Sequence, residues 1–123
     1  MGNVTLRWIP SFYLEDSGAS PVEDFLGGLQ ADARLQILAA IEKLCILRQT
    51  AKPPLIGHVR DKLWELRVER RTNIFRLIYC VDNGHVIFLY GFQKKEQKIS
   101  KREFTIAQKR YQKHLDRQNG KKK

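Results

Sequence analysis

The segment spanning residues 63–92 constrains the fold more than any other part of the sequence. It contains three runs rich in aromatic and β-branched residues, separated by polar stretches, which is typical of an antiparallel meander. Asn83-Gly84 separates the second and third runs, and this dipeptide accepts the positive φ angles of a two-residue hairpin loop. A first turn is predicted within residues 69–73. The segment therefore predicts three adjacent strands joined by two tight turns.

The two turns also predict which residues face each other. A loop at Asn83-Gly84 and a first turn centred on Arg71-Thr72 place Arg67 directly opposite Arg76. Because side chains alternate across a sheet, Arg76 also has Gly91 beside it on the same face. The remaining predicted pairs are Trp64 with Tyr79, Leu66 with Leu77, Tyr79 with Phe88, Leu77 with Tyr90 and Phe75 with Phe92.

Arg67 and Arg76 form the predicted anion site. Two arginines directly opposite each other repel, and Gly91 leaves room for a ligand to approach the backbone. The planar guanidinium group suits a phosphate, so the pair is interpreted as a phosphate site on an open face. The alternative is a solvated face on which Glu65 and Glu69 pair with the two arginines.

The sequence before the meander predicts one strand and two helices. Residues 4–9 read as an edge strand ending at Pro10, and residues 11–19 as a loop. Ser20 and Pro21 begin a helix, and a second helix runs from about residue 31 to 48 with an apolar stripe. The two are predicted to form a helical hairpin over the aromatic sheet face. Residues 55–61 are predicted to be a loop carrying His58.

The C-terminal region predicts a basic helix. Ser100 and Glu103 form a capping box, and the helix is predicted to run to about Leu115, with residues 118–123 as a flexible basic tail. The predicted fold class is α+β, with a helical hairpin packed on a twisted antiparallel sheet and a C-terminal basic helix. Residues 1–123 form one domain.

Charge is concentrated at the C-terminus and predicts a polyanionic partner. The chain carries a net charge of +10, and residues 93–123 hold 12 basic and 3 acidic residues. Such a basic segment favours nucleic acid, whereas no apolar run or lipidation motif favours a membrane. The candidate RNA-binding residues are Lys94, Lys98, Lys109, Arg110 and Lys113.

Catalytic and metal signatures are absent from the sequence. The three histidines are scattered, and Cys45 and Cys80 are expected to be buried thiols rather than a disulfide or zinc site. No cofactor, metal or small-molecule ligand is predicted. His58 is kept as a possible acid/base residue. The absence of a signal peptide favours a reducing cytoplasm.

Three motifs in order resemble toxins of bacterial type II toxin–antitoxin systems, closest to the phage-derived branch of the HigB/RelE superfamily. They are the sequences LWELR (residues 63–67), FRLIY (75–79) and GFQKK (91–95). The resemblance implies a RelE-like fold, ribosome-dependent mRNA cleavage and a cognate antitoxin as partner. It places Arg67, Arg76 and Lys95 where the family binds and cleaves RNA, with Lys94 as the adjacent candidate.

Two other functions remain open from the sequence. ParE-like relatives share the fold but act on DNA gyrase, so the fold does not choose the target. A non-catalytic nucleic-acid-binding module would need only the basic helix. Because no histidine pair is evident, the isolated protein is expected to be a poor ribonuclease that depends on the ribosome to position its substrate.

Overall fold

The computed structural model describes residues 6–94 and 98–121 of the chain. These residues form an α+β fold compatible with the RelE-like architecture, as predicted. The elements in chain order are β1 (Ile9–Phe12), α1 (Pro21–Gly27), α2 (Ala31–Leu47), a 3₁₀ turn (Arg48–Thr50), β2 (Ile56–Arg60), β3 (Leu63–Arg70), β4 (Asn73–Asp82), β5 (His85–Lys94) and α3 (Lys101–Lys121).

The sheet has the strand order β1-β5-β4-β3-β2, and β3, β4 and β5 form the predicted antiparallel meander. Asn83 and Gly84 both have positive φ in the second turn, as their sequence requires. Residues 55–61 were predicted to be a loop, and this was wrong. Ile56–Arg60 forms an edge strand that pairs antiparallel with β3.

The first strand was predicted too early, because Pro10 was taken as its end. β1 instead runs through Pro10 to Phe12 and pairs parallel with β5. The Tyr13 N–H donates to Phe88 O of β5, and the Ile9 N–H donates to Gly84 O in the turn just before β5. The Pro10 nitrogen lies one residue out of phase with these donors and points away from the sheet. Proline is tolerated on an edge strand in this position.

The registers are correct on one side of β4 and only partly correct on the other. Arg67 lies opposite Arg76, and the other predicted β3–β4 pairs are also confirmed. Tyr79 faces Phe88 as predicted, but a β-bulge follows in β5, so Leu77 faces Gly91 and Arg76 faces Phe92. The extra residue reverses the sides of all later β5 residues.

Two apolar clusters lie on the two faces of the sheet. The α1–α2 face, covered by α1 and α2, includes Val22, Ile37, Leu44, Leu66, Leu77 and Phe88. The α3 face, partly covered by α3, includes Leu63, Ile78, Cys80, Leu89, Phe92 and Ala107. The bulge therefore moves Phe92, which was predicted to lie with Leu66 and Leu77, to the α3 face.

Gly91 changes sides for the same reason. A Cβ atom at this position would lie 2.7 Å from Phe25 of α1 and 2.8 Å from Leu77. The glycine therefore permits α1 to pack closely on β5. The prediction that it opens the floor beside Arg76 was wrong.

The C-terminal helix begins as predicted but ends later. Ser100 and Glu103 make the reciprocal hydrogen bonds of a capping box, with the Glu103 N–H 3.3 Å from the Ser100 hydroxyl. α3 continues to Lys121, so the predicted flexible tail is helical over residues 118–121, and residues 122–123 lie outside the described part. Arg117 anchors these last turns by donating to Leu14 O at 2.7 Å.

Candidate nucleic-acid interface

A buried carboxylate lies between the two predicted arginines. Glu65 Oε1 accepts a hydrogen bond from Arg67 Nε at 2.5 Å, and Arg76 Nη1 lies 3.4 Å from each Glu65 carboxylate oxygen. Glu65 is 2% exposed and Arg76 is 1% exposed. Since Glu65 precedes Arg67 by two residues in β3, both point to the same face. The carboxylate offsets the repulsion expected between the arginines.

The two arginines therefore differ in accessibility. The side chain of Arg67 is 33% exposed, whereas that of Arg76 is 1% exposed. The prediction that both lie on an open face is correct for Arg67 and wrong for Arg76. Arg67 is the member of the pair that a ligand can reach directly.

Strand β2 determines where the Arg67 guanidinium lies. A Cβ atom at Gly57 would be 3.3 Å from both Arg67 Cζ and Nη2. The guanidinium thus extends across the backbone of β2 at a residue without a side chain, while Glu65 holds its Nε. A larger residue at position 57 would displace it.

A groove of about 310 Å³ lies over this part of the α3 face. Among the residues that the structure describes, its cationic lining residues are Arg60, Arg67, Arg76 and Lys98, and Glu65 supplies the one carboxylate. The guanidinium of Arg60 lies 5.3 Å from the ring centre of Phe104, which connects β2 to α3 at the end of the groove. An excess of cations around a concave surface favours an anionic ligand.

His58 reaches this groove only at its rim. Strand alternation places its ring on the side of Trp64, opposite to Arg67, and the two ring centres are 4.5 Å apart. His58 Nε2 lies 2.8 Å from the carbonyl oxygen of Asp61. This geometry ties the imidazole to the β2–β3 turn, and a proton-transfer role for His58 stays a prediction.

The structure describes some but not all of the predicted lysines in and after the third motif, GFQKK. Lys94 ends β5 opposite Ile74, and Lys95 lies outside the described residues. Lys98 lines the groove directly. Their roles in RNA binding or cleavage stay predictions.

The candidate residues on α3 have different environments. Arg110 Nη1 donates to Leu89 O at 2.7 Å, and its guanidinium lies over the rings of Tyr13 and Tyr90. Lys113 pairs with Asp16 at 2.8 Å, whereas Lys109 is exposed. Arg110 and Lys113 therefore contribute to packing α3 against the segment after β1.

A comparison with known families gives a match over most of the chain. Residues 24–112 match the family described as phage-derived protein Gp49-like (DUF891). The chain belongs to this family. The match includes the groove residues, all of α2 and parts of α1 and α3. The family is associated with toxins of toxin–antitoxin systems. No curated protein matches the chain.

The buried ionisable side chains Tyr79 and Cys80 of this Gp49-like chain do not line the groove. Burial raises the pKa of the Cys80 thiol to about 12 and also raises the pKa of the Tyr79 hydroxyl. Cys45 and Cys80 are buried free thiols, as predicted. In residues 6–94 and 98–121, no group of His, Cys, Asp or Glu side chains is arranged to hold a metal, and no helix is long and apolar enough to cross a membrane.

The sequence analysis missed two residues that line the groove, Glu65 and Arg60, and Gly57, which lies against the Arg67 guanidinium. Glu65 was considered only as a surface ion-pair partner, although its spacing from Arg67 in a strand indicates a shared face. Gly57 and Arg60 were missed because β2 was taken as a loop. The alternation in residues 56–60 is too short to distinguish a strand from an extended loop.

Proposed function

We propose that this chain is the toxin of a type II toxin–antitoxin system and cleaves mRNA on the ribosome. The observation that carries the proposal is the cationic groove around Arg67. The family's association with toxins supports the general class, and the groove supports a polyanionic substrate. A gyrase-directed toxin would need a surface that binds a protein. The buried Arg76–Glu65 pair beneath the partly exposed Arg67 is better suited to binding a phosphate than to binding a protein surface.

The reaction would be attack of a ribose 2′-OH on the adjacent phosphorus. The new O–P bond forms as the bond to the 5′-oxygen breaks, leaving a 2′,3′-cyclic phosphate and a free 5′-hydroxyl. Arg67 would stabilise the charge that develops on the phosphate, because fixed donors aimed at such charge usually give the largest catalytic contribution. Glu65 would act as a positioning residue through its bond to Arg67 Nε.

Proton transfer would fall to a lysine or to the ribosome-bound RNA itself. Lys98, which lines the groove, and Lys94 and Lys95 of the GFQKK motif are the candidate lysines. His58 is the alternative at the rim. The ribosome would position the substrate, which explains a site with few general acid or base groups.

An antitoxin would inhibit by placing acidic residues near Arg67. The exposed part of this side chain and the four cations of the groove suit such a segment. Coexpression with the neighbouring reading frame should then restore growth, and Arg67→Glu should weaken the complex. Unchanged affinity would place the antitoxin on another surface.

Induction in bacteria followed by mapping of mRNA 5′ ends tests the proposal. Wild-type protein should produce new ends within translated codons, and Arg67→Ala should not. Arg70→Ala is the matched control, because Arg70 lies on the same strand and pairs with Asp32 at the surface. Intact messages with double-strand DNA breaks would instead indicate gyrase, and growth inhibition with neither would indicate binding alone.

A further inference from the structure

A second cavity lies on the other side of Arg67. It has a volume of about 480 Å³ and is formed by the C-terminal half of α2, the segment after it and the exposed edge of β3. β2 begins at Ile56, opposite Leu66, so β3 has no strand neighbour on this side beyond Arg67. The Arg67 N–H donates to Leu55 O at 2.8 Å. This hydrogen bond holds the chain just before β2 against β3, between the two cavities.

Arg67 lines both cavities and so connects them. Its guanidinium lies over Gly57 in the groove, and its side chain also borders the second cavity together with Lys43 and Lys52. A ligand bound to Arg67 in the groove can therefore continue into the second cavity without leaving the protein surface.

The second cavity is cationic. Of the described residues that line it, Lys43, Lys52 and Arg67 are cationic and Glu69 is the one acidic residue. Both lysines are exposed, and within residues 6–94 and 98–121 neither forms an ion pair. By contrast, Lys113 on α3 is paired with Asp16. Lys43 and Lys52 can therefore bind an external anion without first losing an internal partner.

The rest of the lining suits a nucleotide better than a free phosphate. Leu47, Leu55 and the Pro53-Pro54 pair give an apolar wall beside the cations, and Thr50 is also present. The volume is within the range of small-ligand sites. A base can lie against such a wall while its phosphates contact the lysines.

We propose that this cavity binds a nucleotide of single-stranded RNA flanking the one held at Arg67, with Lys43 and Lys52 contacting its phosphates. The inference rests on the proposed function and adds a second subsite to it. Lys43 and Lys52 would contribute affinity, and Arg67 would contribute to both binding and cleavage.

Binding of a fluorescent single-stranded RNA oligonucleotide, made uncleavable by 2′-O-methyl groups, tests the proposal at several salt concentrations. Lys43→Ala/Lys52→Ala should bind roughly 10- to 30-fold more weakly at about 0.1 M salt, and its log–log salt slope should fall by about 1.4, since each lost single-strand phosphate contact removes about 0.7. The control is Lys62→Ala/Arg102→Ala, which removes the same charge from exposed residues that line neither cavity.

The outcomes separate the two proposals. Equal weakening in both double variants would mean general charge attraction and would overturn the subsite. If wild-type protein cleaves ribosome-bound mRNA and Lys43→Ala/Lys52→Ala binds RNA normally, the subsite is wrong while the function stands. If that variant loses only antitoxin binding, the cavity is a protein contact. If wild-type protein produces no mRNA ends in cells, the proposed function itself fails.

Discussion

The groove on the sheet and the C-terminal helix are both basic, but their cations have different surroundings. Among the described residues, the groove gathers four cations and one carboxylate at a concave surface. On α3, Arg110 and Lys113 pair with Glu15 and Asp16, and His114 pairs with Asp82. Most of the positive charge in the sequence is C-terminal, yet much of it on α3 is matched by acidic residues of this same chain.

This difference shows why net charge alone does not locate a binding site. A cation already held by a carboxylate must give up that interaction before it binds another anion. Arg67 also has a carboxylate partner, but that partner binds through Nε and is shared with Arg76. The Arg67 side chain lines both the groove and the cavity beyond it.

The largest expected effect is on stability, at Arg76. Arg76→Ala leaves Glu65 buried with one fewer cation, and breaking such a pair costs about 3–5 kcal/mol of unfolding free energy. Urea denaturation measures this change. Arg70→Ala is the control, since its surface pair should cost only about 0–1 kcal/mol. Equal losses in the two variants would mean that the burial of the Arg76–Glu65 pair adds nothing to its contribution to stability.

The next largest effect is on activity, at Arg67. Arg67→Ala should lower cleavage of ribosome-bound mRNA by about 10²–10³-fold, as for other donors that stabilise developing charge. Its denaturation midpoint should change less than that of Arg76→Ala because Arg67 is partly exposed. Arg67→Lys should recover only part of the activity, because lysine lacks the planar fork. Full activity in Arg67→Ala would move the site elsewhere.

A smaller effect, on the salt dependence of RNA binding, is expected for lysines of α3. It tests the difference between α3 and the groove. Lys109→Ala should reduce the salt slope of RNA binding by about 0.7, the value for one single-strand phosphate contact. Lys113→Ala should change that slope less, because Lys113 is held by Asp16. A larger change for Lys113 would show that its ion pair opens on binding and that α3 is a principal RNA surface.

The smallest effect concerns the pH dependence of the α3 contacts. Hydrogen bonds from Lys113 and Arg117 hold the pKa of Asp16 below its ordinary value. Asp16 therefore adds stability above its unfolded pKa, and this contribution disappears as the pH falls through the folded value. Melting temperatures of wild type and Asp16→Asn should differ at neutral pH and converge in acid, once the pH falls below the lowered pKa of Asp16. A difference that persists there would come from packing and not from charge.

The parts of the fold that depend on local signals were predicted well. Asn83-Gly84 fixed one hairpin, the spacing around Arg71-Thr72 fixed the other, and Ser100 with Glu103 began α3. Each of these features depends on residues within a few positions of one another. The interactions that stabilise it are therefore contained in a short segment of the sequence. The β-bulge has no such local mark, and the faces of Gly91 and Phe92 were therefore predicted incorrectly.

The sequence by itself determined that Arg67 and Arg76 face each other, because strand register and side-chain alternation follow from the turns. Only the tertiary structure decided that Arg76 is buried and Arg67 accessible. That outcome depends on β2 lying beside β3 with Gly57 under the guanidinium, and on α3 covering part of the same face. The burial of a residue depends on all the elements packed around it. It therefore cannot be predicted from the sequence of one segment alone.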